Sequence, residues 1–285
     1  MLFWFFTAVL AVYVSALTLC FFFQRRYIYQ RLAGDYPTHL SLHSLVGDFV
    51  TIRTEDGEHI VAWYKPPLDN RPIVVFFHGS ADSPAQRASR FLAVSSEGFG
   101  VLAPYFRGYG QSTGSPTERG LLLDAAAVYS YCASLYPPER IALWGFSMGS
   151  AVAVLLAVRA KVAGLILEAP FTSSAAVAKY LLPFFPMSFI LRDKFCADAA
   201  IAAVAAPILI LHGEADREIP IALGELLFEA AREPKEFVRF ALGSHSDLDR
   251  HGALAAARRF LASLPNDAIV YPPQSSCKQN SERPA

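Results

Sequence analysis

Residues 140–157 read RIALW-GFSMG-SAVAVLLA, with the G-x-S-x-G pentapeptide at 145–149. The apolar segment before the pentapeptide and the small-residue run after it predict a buried strand that turns abruptly into a helix. Such a turn exposes the hydroxyl of Ser147 at the top of a sheet. The flanking glycines let the backbone pass close to its neighbours, where a Cβ atom would clash. The stretch therefore favours Ser147 as a nucleophile in an α/β fold.

Length and charge limit the remaining possibilities. The chain has 285 residues, enough for one large α/β domain with a sizeable core. It carries 25 Lys and Arg against 25 Asp and Glu, and no basic cluster is interleaved with aromatic residues. Nucleic acid is therefore not expected as a partner.

The first 23 residues contain no charged side chain, and arginines follow at 25, 26 and 31. As a helix this segment would extend about 34 Å, which suits a bilayer. We predict a single-pass transmembrane anchor at 1–23 and a juxtamembrane linker at 24–47. The arginines place the rest of the chain in the cytoplasm by the positive-inside rule. A cleaved signal peptide is the alternative, but a positive start is missing and the apolar run continues past the small residues Val14-Ser15-Ala16.

The four cysteines, Cys20, Cys132, Cys196 and Cys277, show no framework spacing and no C-x-x-C pair. This usage agrees with a cytoplasmic location. The sequence does not decide whether Cys132 and Cys196 form a disulfide.

Eight stretches carry a strand pattern, and five carry a helical one. The strands are expected at 48–54, 58–64, 72–77, 101–105, 141–144, 162–167, 207–211 and 236–240, and the helices at 84–95, 120–134, 147–160, 221–231 and 248–264. A hairpin around Asp56-Gly57 followed by alternating strands and helices predicts a mostly parallel eight-stranded sheet covered on both faces. This domain spans 48–264, and the polar, Pro-containing segment 265–285 is expected to be a flexible tail.

The connection 171–206 is unusually long and has an apolar middle. It could be a lid over a pocket at the sheet edge, or a pair of helices that pack on the core. An apolar stretch alone does not distinguish the two.

A serine nucleophile needs an imidazole to take its proton and a carboxylate to orient that imidazole. In this architecture the acid and base follow the serine in that order, on loops after later strands. The chain offers Asp216 after strand 207–211 and His245 after strand 236–240. Glu214 and Glu218 are alternative acids, and the turn-like H-G-x-x-D placement favours Asp216.

Other histidines and acids receive structural roles. His78 and His212 precede glycines at strand ends, where hydrogen bonding is expected, and His251 is expected on a helix surface. Asp247 and Asp249 are expected to cap or solvate the last helix.

Backbone amides should bind the oxyanion formed during acyl transfer. We assign this role to the amides of Met148 and Ser80.

These residues together resemble the α/β-hydrolase superfamily, and within it the membrane-anchored Bem46/ABHD13-like hydrolases. The similarity covers roughly 49–264 and includes HGSA at 78–81, FRGYGQSTGSPTERGL at 106–121, GFSMG at 145–149, EAPFTS at 168–173, HGEAD at 212–216 and GSHSDL at 243–248. It implies the α/β-hydrolase fold and serine hydrolase activity through Ser147, Asp216 and His245, without a metal or organic cofactor. Two positions depart from the common pattern, since Ser80 and Ser246 stand where Asn is frequent.

The function expected from these features is hydrolysis of carboxylic ester or thioester bonds in small acyl or lipid-like substrates near a membrane. A serine peptidase acting on short peptides is a second possibility. A non-catalytic membrane scaffold with the same fold is a third, because fold alone does not guarantee activity. The sequence does not specify the oligomeric state.

Overall fold

The computed structural model describes residues 1–30 and 47–264. Residues 31–46, which include most of the predicted linker and Arg31, lie outside the described residues, as do the predicted tail 265–285 and Cys277. Eight strands form one sheet in the described part. They are β1 (Asp48–Arg53), β2 (His59–Lys65), β3 (Ile73–Phe77), β4 (Gly100–Pro104), β5 (Ile141–Phe146), β6 (Gly164–Glu168), β7 (Ile208–Gly213) and β8 (Lys235–Phe240).

The strand order is β1-β2-β4-β3-β5-β6-β7-β8. β1 pairs antiparallel with β2, and β2 pairs antiparallel with β4, while every other neighbouring pair is parallel. The predicted mostly parallel eight-stranded sheet is therefore confirmed.

The described part of the chain also contains helices. They are α1 (Leu2–Ile28), α2 (Ala88–Ser96), α3 (Glu118–Leu135), α4 (Met148–Ala157), α5 (Ser174–Leu181), α6 (Met187–Ile190), α7 (Asp198–Ile201), α8 (Ile221–Ala230) and α9 (Ala253–Ser263). The Thr117 hydroxyl caps α3 by accepting from the Gly120 amide, and the Ser173 hydroxyl caps α5 by accepting from Ala176.

The core lies in the parallel part of the sheet. Every residue of β3, β5, β6 and β7 is buried. Strands with helices on both faces are buried on both sides, which explains their continuous apolar sequences. The parallel strands present their carboxyl ends at one edge, and this edge carries the site described below.

Two of the predicted helical segments contain a 3₁₀ turn. The segment 84–95 begins with a 3₁₀ turn at Pro84–Arg87 before α2 starts. The predicted helix 248–264 is divided into a 3₁₀ turn at Leu248–His251 and α9, because Gly252 adopts φ 101° between them. That left-handed conformation is accessible to glycine and ends a helix.

The N-terminal helix α1 is long and apolar enough to cross a membrane. It continues to Ile28, so the first five residues of the predicted linker are helical. In the described part of the chain Cys20, Cys132 and Cys196 are free thiols, so the Cys132–Cys196 disulfide left open by the sequence is not formed. Burial raises the pKa of Cys132 to about 12.

Candidate active site

Ser147 occupies the sharp turn between β5 and α4. Its backbone has φ 51° and ψ −118°, a conformation that strains any residue with a Cβ atom and costs on the order of 1–3 kcal/mol. The Ser147 amide donates to the Glu168 carbonyl at 2.9 Å. Its carbonyl accepts from the amide and the hydroxyl of Ser150, at 2.9 and 2.6 Å. These bonds hold the strained turn in place.

The glycines of the pentapeptide are required by close packing. A Cβ atom on Gly149 would lie 2.0 Å from the Phe77 carbonyl oxygen, and one on Gly145 would lie 2.3 Å from the Gly149 carbonyl oxygen. No side chain fits at either position, which is the physical reason for the G-x-S-x-G spacing.

Three side chains predicted from the sequence meet at the carboxyl edge of the sheet. Ser147 Oγ lies 3.1 Å from His245 Nε2, and His245 Nδ1 lies 2.8 Å from Asp216 Oδ2. The other carboxylate oxygen, Asp216 Oδ1, accepts from the amides of Glu218 and Ile219 at 2.9 and 2.8 Å. The carboxylate is thus fixed from both sides, and it orients the imidazole toward the serine.

Opposing effects set the charge states of this group. Burial works against the ionised form of Asp216, but hydrogen bonds with His212 and His245 outweigh it and hold the pKa of that carboxyl below its usual range. Burial also works against protonated His245, yet the hydrogen bond and charge of Asp216 prevail and raise the pKa of His245 above its usual value. The carboxylate therefore stabilises an imidazolium, the form the ring takes after accepting a proton.

The alternative bases and acids have other environments. His212 is fully buried, and its Nε2 lies 3.0 Å from the Ile219 carbonyl oxygen and 3.5 Å from Asp216 Oδ2. Glu214 and His251 are exposed. Glu218 lies 3.9 Å from His245 Nε2, but its side chain is 73% exposed.

The loop after β3 carries the predicted oxyanion donor Ser80. Phe106 donates its amide to His78 Nε2 at 3.1 Å, so the ring proton is on Nδ1, which donates to the Gly79 carbonyl at 2.7 Å. The Gly79 carbonyl and the Ser80 amide belong to one planar trans peptide and point in opposite directions. His78 therefore fixes the direction of the Ser80 amide, and the Tyr109 hydroxyl holds the next carbonyl at 2.8 Å.

The second predicted donor, Met148, is the first residue of α4. Amides in the first turn of a helix have no partner inside the helix and carry partial positive charge. Both Ser80 and Met148 line the same pocket as Ser147 and His245.

This pocket has a volume of about 550 Å³, within the range of small-molecule sites. One wall comes from the long connection after β6, through residues that include Val177, Leu181 and Leu191, and another from the end of α1, through Cys20, Gln24 and Ile28. The α5–α6 part of the connection thus covers the pocket, as a lid does. Its α7 part packs on the core, where Ile201 and Val204 are buried. Both possibilities left open by the sequence hold for different parts of the segment.

Comparisons with known proteins identify the family of this chain. The family model described as "Hydrolase_4: Serine aminopeptidase, S33" matches residues 69–196. The uncharacterized protein Rv2307c of Mycobacterium tuberculosis (strain ATCC 25618 / H37Rv) is 39% identical over 245 residues, which cover 84% of this chain and 87% of that protein. This chain belongs to the α/β-hydrolase family. The family model and the lipase relative reported next confirm the enzyme class expected from the sequence, a serine hydrolase that acts on ester bonds.

Two further relatives of this α/β-hydrolase are informative. The lysophosphatidylserine lipase ABHD12 of Rattus norvegicus is 32% identical over 210 residues, which cover 65% of this chain and only 53% of that protein. The esterase Pf2001 of Pyrococcus furiosus has the same fold, with a TM-score of 0.66 at 22% identity, over 82% of this chain and 98% of that structure.

The hydrolase contains a buried ion-pair network that sequence reasoning missed. Arg90 on α2 makes a bidentate pair with Glu168 at 2.6 and 3.0 Å, and its guanidinium also contacts Asp249 at 2.9 and 3.0 Å. Trp144 donates its indole N–H to Glu168 at 3.1 Å. Asp249 was expected to cap or solvate a helix, but it is a member of this network. Because the backbone carbonyl of Glu168 also accepts from the Ser147 amide, the network lies next to the Ser147 turn.

Within the described residues, no group of three or more His, Cys, Asp or Glu side chains is arranged to hold a metal ion.

Proposed function

We propose that this chain is a membrane-anchored serine hydrolase that cleaves carboxylic ester or thioester bonds of acyl, lipid-like substrates through Ser147, His245 and Asp216. The observation that carries the proposal is the continuous hydrogen-bonded series from Ser147 Oγ through His245 to Asp216, at 3.1 and 2.8 Å. A serine hydroxyl is a weak nucleophile until such an imidazole accepts its proton.

Each proton has a defined route in this mechanism. Ser147 Oγ attacks the carbonyl carbon while His245 Nε2 takes the hydroxyl proton, and the amides of Ser80 and Met148 bind the resulting oxyanion. The imidazolium then gives its proton to the departing alcohol or thiol, leaving an acyl-serine. Water attacks this ester with His245 again acting as base, and the carboxylic acid leaves as the serine is restored.

The pocket supports an acyl substrate. Its lid and α1 walls are mostly apolar, and residues such as Leu181, Leu182 and Phe195 line it together with Ser147. The relative named as a lipase and the similar structure named as an esterase also favour an ester substrate. An apolar acyl chain would gain from burial there.

The anchor is proposed from α1. Its 27 residues extend about 40 Å as a helix, and its apolar part matches the roughly 30 Å hydrocarbon thickness of a bilayer. We place the catalytic domain on the cytoplasmic side, because Arg25 and Arg26 lie in the last turn of α1 and Arg31 follows the helix.

Turnover of graded-length acyl esters by purified protein in detergent tests the proposal. Ser147→Ala should abolish turnover with a nearly unchanged Tm, because the substitution removes only the nucleophilic oxygen. Ser174→Ala is the matched control, since Ser174 also lines the pocket, and it should retain activity. Activity in S147A equal to that of the wild type would refute the proposal, and a large loss of Tm would mean that Ser147 is structural.

A serine peptidase is the second candidate, favoured by the description of the matching family model and by one pocket residue. The carboxylate of Glu218 lines the pocket and could pair with the α-amino group of a peptide. Aminoacyl amides should be poor substrates if the ester proposal holds. Efficient amide turnover that Glu218→Gln abolishes, with acyl ester turnover retained, would favour the peptidase instead.

A further inference from the structure

The lid, which comprises α5, α6, the residues between them and Leu191, runs alongside α1. The lid and the residues next to it are hydrogen-bonded to α1 at two levels along the helix axis. At the upper level, the Tyr13 hydroxyl donates to the Phe184 carbonyl at 3.0 Å, and the rings of Tyr13 and Phe185 lie 5.7 Å apart. At the lower level, Gln24 on α1 donates to the Ile190 carbonyl at 3.1 Å and accepts from the Arg192 amide at 2.7 Å.

An ion pair strengthens the lower level. Arg25 donates to both carboxylate oxygens of Asp193, at 2.8 and 3.1 Å, and Asp193 also accepts from the Glu118 amide at the start of α3. Gln24 is buried although it belongs to a largely exposed helix. The end of α1 is thus a fixed part of the domain rather than a free tether.

The spacing of the two levels along α1 indicates how deep the lid would lie in a bilayer. Tyr13 and Gln24 are eleven residues apart on one helix, which corresponds to about 16 Å along its axis. The apolar stretch of α1 ends at Phe23. If this stretch spans the bilayer, Tyr13 lies near the middle of the hydrocarbon, and the lid residues that contact it lie at the same depth.

The composition of the lid matches that depth. Residues 180–191 contain no charged side chain, whereas Lys179 precedes them and Arg192 and Asp193 follow. Phe184 and Phe189 are 86% and 89% exposed. Tyr180, Leu181 and Leu182 are also exposed. In water this would be a costly apolar surface, and such surfaces mark sites of contact with lipid or protein.

We propose that residues 180–191 insert into the same membrane leaflet as the C-terminal half of α1, so that the pocket opens into lipid. The proposal rests on the proposed anchoring of α1. Leu181, Leu182 and Leu191 of the lid and Cys20 of α1 line the pocket that contains Ser147. A single-chain amphiphile in that leaflet could therefore pass its acyl chain between α1 and the lid, and its ester would reach Ser147 without the chain entering water.

Tryptophan fluorescence in vesicles tests the insertion without relying on activity. In a Trp4→Phe background the remaining tryptophans, Trp63 and Trp144, are buried in the core. Phe184→Trp and Phe189→Trp are then compared in phosphatidylcholine vesicles with and without bromine on the acyl chains. Leu135→Trp is the matched control, because Leu135 is exposed at the end of α3, just before β5 begins at the opposite edge of the sheet.

Brominated lipid should quench most of the emission added by F184W and F189W and leave that of L135W unchanged. Trp4 of the otherwise unchanged chain should also be quenched, which reports that α1 is in the bilayer. Quenching of Trp4 without quenching of F184W or F189W would overturn the proposal, since water or a second copy of the chain would then cover the lid.

Kinetics test the consequence for the substrate and separate it from the proposed function. The double variant Phe184→Asp/Phe189→Asp should hydrolyse a short water-soluble ester like the wild type. With a long-chain monoacyl ester embedded in vesicles, the same variant should show a raised KM and little change in kcat. Equal kinetics of variant and wild type on the embedded ester would overturn the route through lipid. If the wild type hydrolysed neither ester, the proposed function itself would be refuted.

Discussion

At the scale of single residues, the site depends on strain and on charge. Ser147 is held at φ 51° by hydrogen bonds from its neighbours, and this backbone exposes the hydroxyl to the imidazole of His245. The hydrogen bond between His245 and Asp216 raises the pKa of His245 and, together with the hydrogen bond between His212 and Asp216, lowers the pKa of Asp216. Reactivity at this position is therefore a property of the pair rather than of either group.

The pH profile of the enzyme should report this pair. Only neutral His245 can accept the serine proton, so kcat/KM should rise with pH and reach half of its maximum above about 6.5, the ordinary histidine value. Asp216→Asn removes the charge that raises the pKa of His245, and the midpoint should move to lower pH.

The same substitution should lower kcat by roughly 10³–10⁴-fold. The asparagine no longer stabilises the imidazolium, and it no longer fixes the tautomer of the neutral imidazole. Glu214→Gln is the control, since Glu214 lies exposed on the same loop, and both the midpoint and kcat should stay as in the wild type. An unshifted midpoint in D216N would mean that another group sets the titration.

At the scale of elements, the nucleophile turn rests on the ion pair of Arg90 and Glu168. Both side chains are buried, and they join α2 to the end of β6. Burial opposes the ionised form of Glu168, but the charge of Arg90 outweighs it, so the pKa of Glu168 lies below its usual value. The stabilisation is therefore present above about pH 4.3, the ordinary glutamate value, and is lost as the pH falls through the lowered pKa of the folded state.

Glu168→Gln should destabilise the fold by about 3–5 kcal/mol, because it leaves the Arg90 charge buried and only partly compensated. Asp249→Asn provides the comparison. The Asp249 side chain is 34% exposed, so its pair is screened and its loss should cost about 0–1 kcal/mol. Urea denaturation followed by circular dichroism measures both, and equal midpoints for E168Q and the wild type would contradict this account.

The strands and the candidate site residues could be predicted from the sequence for the same reason. Parallel strands are continuous apolar runs, and functional groups follow their carboxyl ends, so Ser147, Asp216 and His245 were each recognisable from local context. The partners of Arg90 were not, because Glu168 and Asp249 lie 78 and 159 positions away. Nor did the sequence indicate that Gln24 binds a lid segment more than 160 residues later, since contacts of this kind depend on tertiary packing.

At the scale of the whole molecule, α1 and the catalytic domain form one continuous site. The pocket takes residues from both, and the bond between Arg25 and Asp193 joins them close to the expected membrane surface. The carboxylate of Asp193 offsets the charge of Arg25, so Arg26 and Arg31 are the basic residues with the larger expected effect on helix orientation by the positive-inside rule.

Fusion of a compartment-sensitive reporter to the C-terminus tests this topology. We expect the reporter to be active only in the cytoplasm. Replacing Arg26 and Arg31 by Gln should weaken the preference, and Lys161→Gln, far from the helix, should leave it unchanged. Reporter activity confined to the outer side of the membrane would contradict the proposed orientation.

Covalent labelling with a fluorophosphonate reports directly on the proposed nucleophile, because this reagent reacts preferentially with a serine whose hydroxyl is activated by a base. We expect one adduct on the wild-type protein, which mass spectrometry of its peptides would locate at Ser147, and no adduct on Ser147→Ala or His245→Gln. An adduct on a different residue, or undiminished labelling of S147A, would contradict this expectation.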